Sequence, residues 1–172
     1  MIGFERSLLV LGGARSGKSR HAQRAAEAAG GTPVFIATAQ AFDAEMAERI
    51  ARHRADRGLA WRTCEAPLEL PEAIRAEDGD GAVLLVDCLT LWASKLLLAG
   101  RDADAATDDL VQALRQARGR VVLVANEVGY GIVPDNALAR RFRDVAGLMN
   151  QRVAAQVSQV DLVAAGLPLR LK

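Results

Sequence analysis

The stretch "SLLVLGGARSGKSRHAQRAAEAAGG", Ser7–Gly31, decides the fold. Its opening run, Ser7–Leu11, is continuously apolar rather than alternating, as expected of a strand covered on both faces. A Gly-rich turn follows, then an Ala-rich segment, Ser19–Ala29, with helical character that stops at Gly30 and Gly31. Within the turn, Gly12, Gly17, Lys18 and Ser19 occupy every fixed position of G-x-x-x-x-G-K-[ST]. In that motif the backbone N–H groups surround phosphate oxygens, the lysine reaches the outer phosphates, and the hydroxyl reaches Mg²⁺. The helix that begins at the lysine turns its positive dipole end toward the same anion. A strand before the motif and a helix after it favour a phosphate site over a glycine turn with no ligand.

Working outward, further strands are expected at Pro33–Ala39, Ala82–Asp87 and Arg120–Asn126. The segments "VDLVAAG" and "LPLRLK" close the sequence, and Gly166 between them marks a hairpin or a tight crossover. Helical periodicity covers Ser19–Ala29, Asp43–Asp56, Leu68–Ala76, Leu89–Ala99, Ala105–Ala117 and Asn136–Val157. The polar run "GRDADAATDD", Gly100–Asp109, reads as a surface loop leading into the helix expected from Ala105. Six strands alternating with helices predict one α/β domain over residues 1–172, with a mostly parallel sheet flanked by helices and a C-terminal hairpin. In such sheets ligands bind beyond the carboxyl ends of the strands, where the Gly-rich turn falls.

Composition narrows the function classes. Of 172 residues, 51% are hydrophobic and 25% charged, an ordinary globular balance with room for one core. Aromatic residues amount to 4% and the net charge is +1, which argues against a nucleic-acid partner or a membrane surface. No apolar run approaches a membrane span, and the acidic Glu5 and early phosphate motif do not fit a signal peptide. Two cysteines, Cys64 and Cys88, lie too far apart for a C-x-x-C site and fit a reducing compartment, so a cytoplasmic protein is expected.

Three further residues and one loop bear on chemistry. Asp87 ends an apolar strand, where an acidic residue can hold Mg²⁺ beside a phosphate loop, or can cap the helix that starts at Leu89. In "DAEMAERIARHRADR" (Asp43–Arg57), His53 shares a helical stripe with Met46, Ile50 and Arg57. A histidine there can be a hydrogen-bonded core residue. From position alone that reading stands ahead, but flanked by Arg54 and Arg57 it can also be a nucleophile attacking phosphorus, with guanidinium groups stabilising the developing charge. His21, early in the helix after the phosphate loop, is read as a solvated position rather than a substrate contact. Finally, "NEVGYGIVPDN" (Asn126–Asn136) is a loop after a strand; it lies near the phosphate loop if the two strands are neighbours. No [NT]-K-x-D run is present to read guanine, so the motifs leave ATP and GTP open.

Taken together, "GGARSGKSRHA", "FIATAQAFDAEMAERIARHRADR", "WRTCE", "LVDCLTLW" and "NEVGYGIVPDNALARRFRDVAGLMNQ" occur in order and with close spacing. This combination resembles the bifunctional adenosylcobinamide kinase/adenosylcobinamide-phosphate guanylyltransferase family, from Leu9 to Lys172. The resemblance implies a RecA-like P-loop fold, assembly as a homotrimer, and two reactions. The first phosphorylates adenosylcobinamide with ATP or GTP. The second transfers GMP from GTP through a GMP–histidine intermediate, giving adenosylcobinamide-GDP and pyrophosphate. The histidine of the family's R-I-x-x-H motif falls on His53, which the resemblance makes the nucleophile. Its nucleotide contacts fall on Gly12, Gly13, Ala14, Arg15, Ser16, Gly17, Lys18 and Ser19, and on Ala37, Thr38 and Ala39. They continue on Arg54, Ala55, Asp56 and Arg57, on Glu65, and on Asp87; Ser19 and Asp87 are the implied Mg²⁺ ligands.

Overall fold

The structure, a computed structural model, describes residues 5–39 and 60–172. Its strands are β1 (Ser7–Gly12), β2 (Thr32–Ala37), β3 (Arg62–Glu65), β4 (Ala82–Asp87), β5 (Arg120–Asn126), β6 (Gln159–Ala164) and β7 (Leu167–Arg170). Its helices are α1 (Lys18–Ala29), α2 (Leu70–Glu77), α3 (Leu89–Leu98), α4 (Ala103–Gln116) and α5 (Ala137–Gln156). The helix expected over Asp43–Asp56 lies outside the described residues.

All seven strands form one sheet in the order β3-β2-β4-β5-β1-β6-β7. Every neighbouring pair is parallel except β6–β7, which closes the sheet as an antiparallel hairpin. The mostly parallel α/β fold with its terminal hairpin is therefore as the sequence predicts.

The apolar runs are explained by burial on both faces. In β1, Leu9 and Leu11 join the cluster under α2–α5, whereas Leu8 and Val10 join a smaller one under α1. Ala22, Ala25 and Ala26 of α1 meet that second face. Small side chains let the helix, and the loop that feeds it, lie close against the sheet. The larger cluster is centred on Trp92, which is fully buried and donates its indole N–H to the Leu68 carbonyl at 2.7 Å. That bond satisfies the one polar atom such a side chain brings inside.

Two expectations need correction. A strand absent from the sequence reading, β3, flanks β2 at the sheet edge. Its four residues, Arg-Thr-Cys-Glu, carry no apolar run, because an edge strand is covered incompletely. The helix expected over Ala105–Ala117 starts two residues earlier, at Ala103, inside the polar run Gly100–Asp109. Asp102 caps it, its carboxylate accepting from the Asp104 and Ala105 N–H groups at 2.9 and 3.1 Å. The acidic residues that made this run look like a linker are those that favour a helix start.

Candidate active site

β1 ends at Gly12 and α1 begins at Lys18, so residues 13–17 form the turn between them. A Cβ on Gly12 would stand 2.6 Å from the Val163 carbonyl oxygen of neighbouring β6. Gly17 has φ +95°, and its Cβ would approach Gly166 Cα to 3.2 Å. Both motif glycines are thus required by close approach or backbone angle rather than by flexibility. Inside the turn, Ser16 is buried; its N–H donates to Gly13 O at 3.3 Å and its Oγ accepts from the Lys18 N–H at 3.4 Å. The Lys18 ammonium lies over the same loop, 3.2 Å from the Gly13 carbonyl. No side chain caps α1, and its first turn holds no acidic residue. A helix start arranged in this way offers its N–H groups and dipole to an anion.

Strand register assembles the rest. Glu65 of β3 pairs with Ala37 of β2, and Ala37 pairs with Asp87 of β4. Asp87 faces Val124 of β5, two residues before Asn126, and Asn126 pairs with Gly12 of β1. Glu65, Ala37, Asp87, Asn126 and Gly12 therefore run along one carboxyl edge, although they are scattered over 115 positions of sequence, from 12 to 126. The adjacency left open for the Asn126 loop is thereby settled, and the Glu127 N–H donates to Gly12 O at 3.1 Å.

Two buried polar side chains fix Asn126. Its N–H donates to Thr90 Oγ1 at 2.7 Å, and its carbonyl accepts from Asn150 Nδ2 at 3.3 Å. Neither partner was singled out from sequence. Thr90 is the one polar residue of the run "LTLWA", whereas Asn150 stands beside Gln151 and Arg152 and carries no local signal.

The end of β2 is stitched to the end of β4. Thr38, fully buried, donates its hydroxyl to Cys88 O at 2.8 Å and accepts from the Cys88 N–H at 2.9 Å. Its own N–H donates to Asp87 O at 3.2 Å. These bonds occupy Thr38 and hold Ala37, Ala39 and Asp87 in place. The N-cap of α3 is Cys88, which puts Asp87 one residue outside the capping position. Burial, and after it the Asp87 charge, push the Cys88 thiol up to about 11 against backbone hydrogen bonds and Lys18. Both charged groups of the site are thus felt at one buried atom. Burial also lowers the Lys95 pKa, while the Glu65 carboxylate opposes that shift.

His21 is not the solvated position read from sequence. Its Nε2–H donates to Asp161 Oδ2 at 2.8 Å, and the two side chains are 10% and 4% exposed. Asp161 also accepts from Arg170 Nε. His53 and Arg54–Arg57 lie outside the described residues.

Among the described residues no group of three or more His, Cys, Asp or Glu could hold a metal ion. A Mg²⁺ bound together with a nucleotide does not need one. Ser19 at the start of α1 and Asp87 at the end of β4 carry hard oxygen atoms of the kind Mg²⁺ takes, and phosphate and water would complete such a shell. The donor set fits the ion.

A family model described as "Cobinamide kinase / cobinamide phosphate guanyltransferase" matches residues 8–171. The chain belongs to this family. It is 49% identical over 166 residues to the bifunctional adenosylcobalamin biosynthesis protein CobP of Pseudomonas aeruginosa, covering 95% of this chain and 96% of that one. It is 43% identical to the bifunctional adenosylcobalamin biosynthesis protein CobU of Salmonella typhimurium, covering 96% and 99%.

Among solved structures, a prototypical ATPase from the type III secretion system of pathogenic bacteria matches with a TM-score of 0.54 at 12% identity. It covers 96% of this chain and 56% of that one. The assembled ATPase EscN from enteropathogenic E. coli matches with a TM-score of 0.56 at 10% identity, over 93% and 43%. The chain spans about half the length of these ATPases, and the likeness concerns the fold alone. No described helix is long and apolar enough to cross a membrane.

Proposed function

We propose that this member of the cobinamide kinase/guanyltransferase family carries out both of its reactions with nucleotide seated on the carboxyl edge. Its substrates are adenosylcobinamide and adenosylcobinamide phosphate, with ATP or GTP for the first step and GTP for the second. The observation that carries the reading is the alignment of Gly12, Asp87, Ala37 and Glu65 along one edge beside an uncapped helix start.

In the kinase step the loop from Gly12 through Ser19 holds the phosphates and Lys18 balances charge on the outer ones. Ser19 and Asp87 would hold a Mg²⁺ ion, which would supply charge neutralisation for the transferred phosphoryl group. The cobinamide hydroxyl oxygen attacks the γ-phosphorus, the bridging oxygen leaves with the nucleoside diphosphate, and the hydroxyl proton passes to solvent.

In the guanylyl step a ring nitrogen of His53 attacks the α-phosphorus of GTP and pyrophosphate leaves. A phosphate oxygen of adenosylcobinamide phosphate then displaces the histidine, forming the new P–O–P bond. Dividing the displacement in two lowers each barrier and predicts ping-pong kinetics for that half. Ala37, Thr38, Ala39, Arg54, Ala55, Asp56, Arg57 and Glu65 complete the nucleotide contacts. Residues 1–172 act as one nucleotide-binding domain. We place the protein in the cytoplasm, as its two free cysteines fit, and assign it a homotrimer, as the resemblance implies.

The test is a coupled assay with adenosylcobinamide, Mg²⁺ and each nucleotide. Wild type is expected to release nucleoside diphosphate and then, with GTP, pyrophosphate, while Lys18→Ala loses phosphorylation by at least about 100-fold. Phosphorylation with no pyrophosphate release would leave a single-function kinase.

A further inference from the structure

The C-terminal hairpin has no part in the reaction just described, yet it touches both the phosphate loop and the helix that follows it. β6 and β7 pair as far as Ala164 with Leu167, leaving Ala165 and Gly166 as a two-residue turn. Their φ values, 51° and 80°, are both left-handed, as a type I′ turn requires. The Gly166 N–H at this turn donates to the Ser16 carbonyl at 2.8 Å. Ser16 C=O and Gly17 N–H belong to one peptide plane and point in opposite directions when that peptide is trans. Holding the oxygen on the hairpin therefore turns the Gly17 N–H away from it. That N–H has no acceptor among the described residues.

The second tether lies one turn into α1. His21 donates to Asp161, whose other carboxylate oxygen accepts from Arg170, its cross-strand partner in β7. A buried carboxylate is costly unless fully paired, so its two partners fix where it sits. The helix turn that carries Lys18 and Ser19 is thereby tied to both strands of the hairpin. β7 itself contributes no buried residue, so filling the core does not account for its place beside the loop.

We infer that the β6–β7 hairpin positions the phosphate loop, with Gly166, Asp161 and His21 as positioning residues that preset the Gly17 N–H and the first turn of α1. The inference rests on the reading that nucleotide binds at this loop. It assigns the cost of ordering the donors to folding rather than to binding, as preorganisation does.

The experiment measures GTP affinity by calorimetry, and kcat and KM for both substrates, well below each variant's melting temperature. At Gly166 the left-handed backbone is strained for valine and tolerated by asparagine. Gly166→Val is expected to weaken GTP binding about tenfold and lower kcat, with the KM for adenosylcobinamide unchanged. Gly166→Asn should stay within about threefold of wild type. His21→Ala and Asp161→Ala should each weaken GTP binding, the double variant should be no worse than the poorer single one, and His21→Gln should restore part of the loss.

Folded Gly166→Val and His21→Ala proteins with wild-type GTP affinity and kcat, even with lowered melting temperatures, would overturn the inference. Failure of the underlying reading gives a different result: wild type would not bind GTP, or Lys18→Ala would bind it equally well.

Discussion

Asn126 is held at both ends of its backbone unit, by Thr90 on its N–H and Asn150 on its carbonyl. Both supporting side chains are buried. Thr90→Val keeps the shape but leaves that N–H without a partner, a loss of about 1–3 kcal/mol. Urea unfolding should show it as a lower midpoint at unchanged slope, and Thr90→Ser should recover most of it. Cys88 supplies a second residue-scale prediction. Its thiol lies well above the ordinary value of 9.0, at about 11 in the folded protein. Below pH 9 both folded and unfolded chains keep the proton, so the group's full contribution is present. As pH rises from 9.0 toward 11, the unfolded chain releases the proton before the folded one, and stability falls. Cys88→Ala should flatten this alkaline decline relative to wild type in paired denaturation series across that window. At this scale the sequence was legible where a motif fixes spacing, as in Gly12–Ser19. It was illegible where chemistry depends on distant partners: His21 looked solvated because Asp161 stands 140 residues away.

Elements were legible through their ends. Gly30 and Gly31 mark the stop of α1, and the C-cap is Gly30, whose N–H bonds to Glu27 O at 3.2 Å. Gly166 marks the hairpin. The start of α4 was read two residues late, at Ala105 rather than Ala103, because Asp102, Asp104, Asp108 and Asp109 make a polar run and composition outweighed the capping signal. The structure shows the cap at work, and Asp102→Ala should cost about 1 kcal/mol in chemical denaturation. Kinetic constants for nucleotide should not change, because α4 contributes no residue to the carboxyl edge. A loss of activity at unchanged stability would mean that α4 reaches the site in some way the described residues do not show. Strand β3 was missed for the converse reason: Arg62, Thr63, Cys64 and Glu65 have no apolar periodicity, and only the edge of β2 organises them.

Across the whole molecule, alternating strands and helices announced a parallel sheet, but strand order is a property of packing that no local pattern encodes. Placing β5 between β1 and β4 is what sets Asn126 between the phosphate loop and Asp87. The same order leaves α1 packed over β1, β4 and β5, so the helix that carries Lys18 rests on the strands that end in Gly12, Asp87 and Asn126. The nucleophile assigned to the second reaction, His53, lies outside the described residues, so chemistry must test it directly. The most direct measurement incubates the protein with Mg²⁺ and GTP labelled at the α-phosphate, without cobinamide, and follows the label on a denaturing gel beside His53→Ala. An acid-labile, alkali-stable label on wild type that is absent from the variant is the predicted result. A wild-type protein that binds GTP but takes up no label, or a His53→Ala protein labelled equally well, would contradict the account.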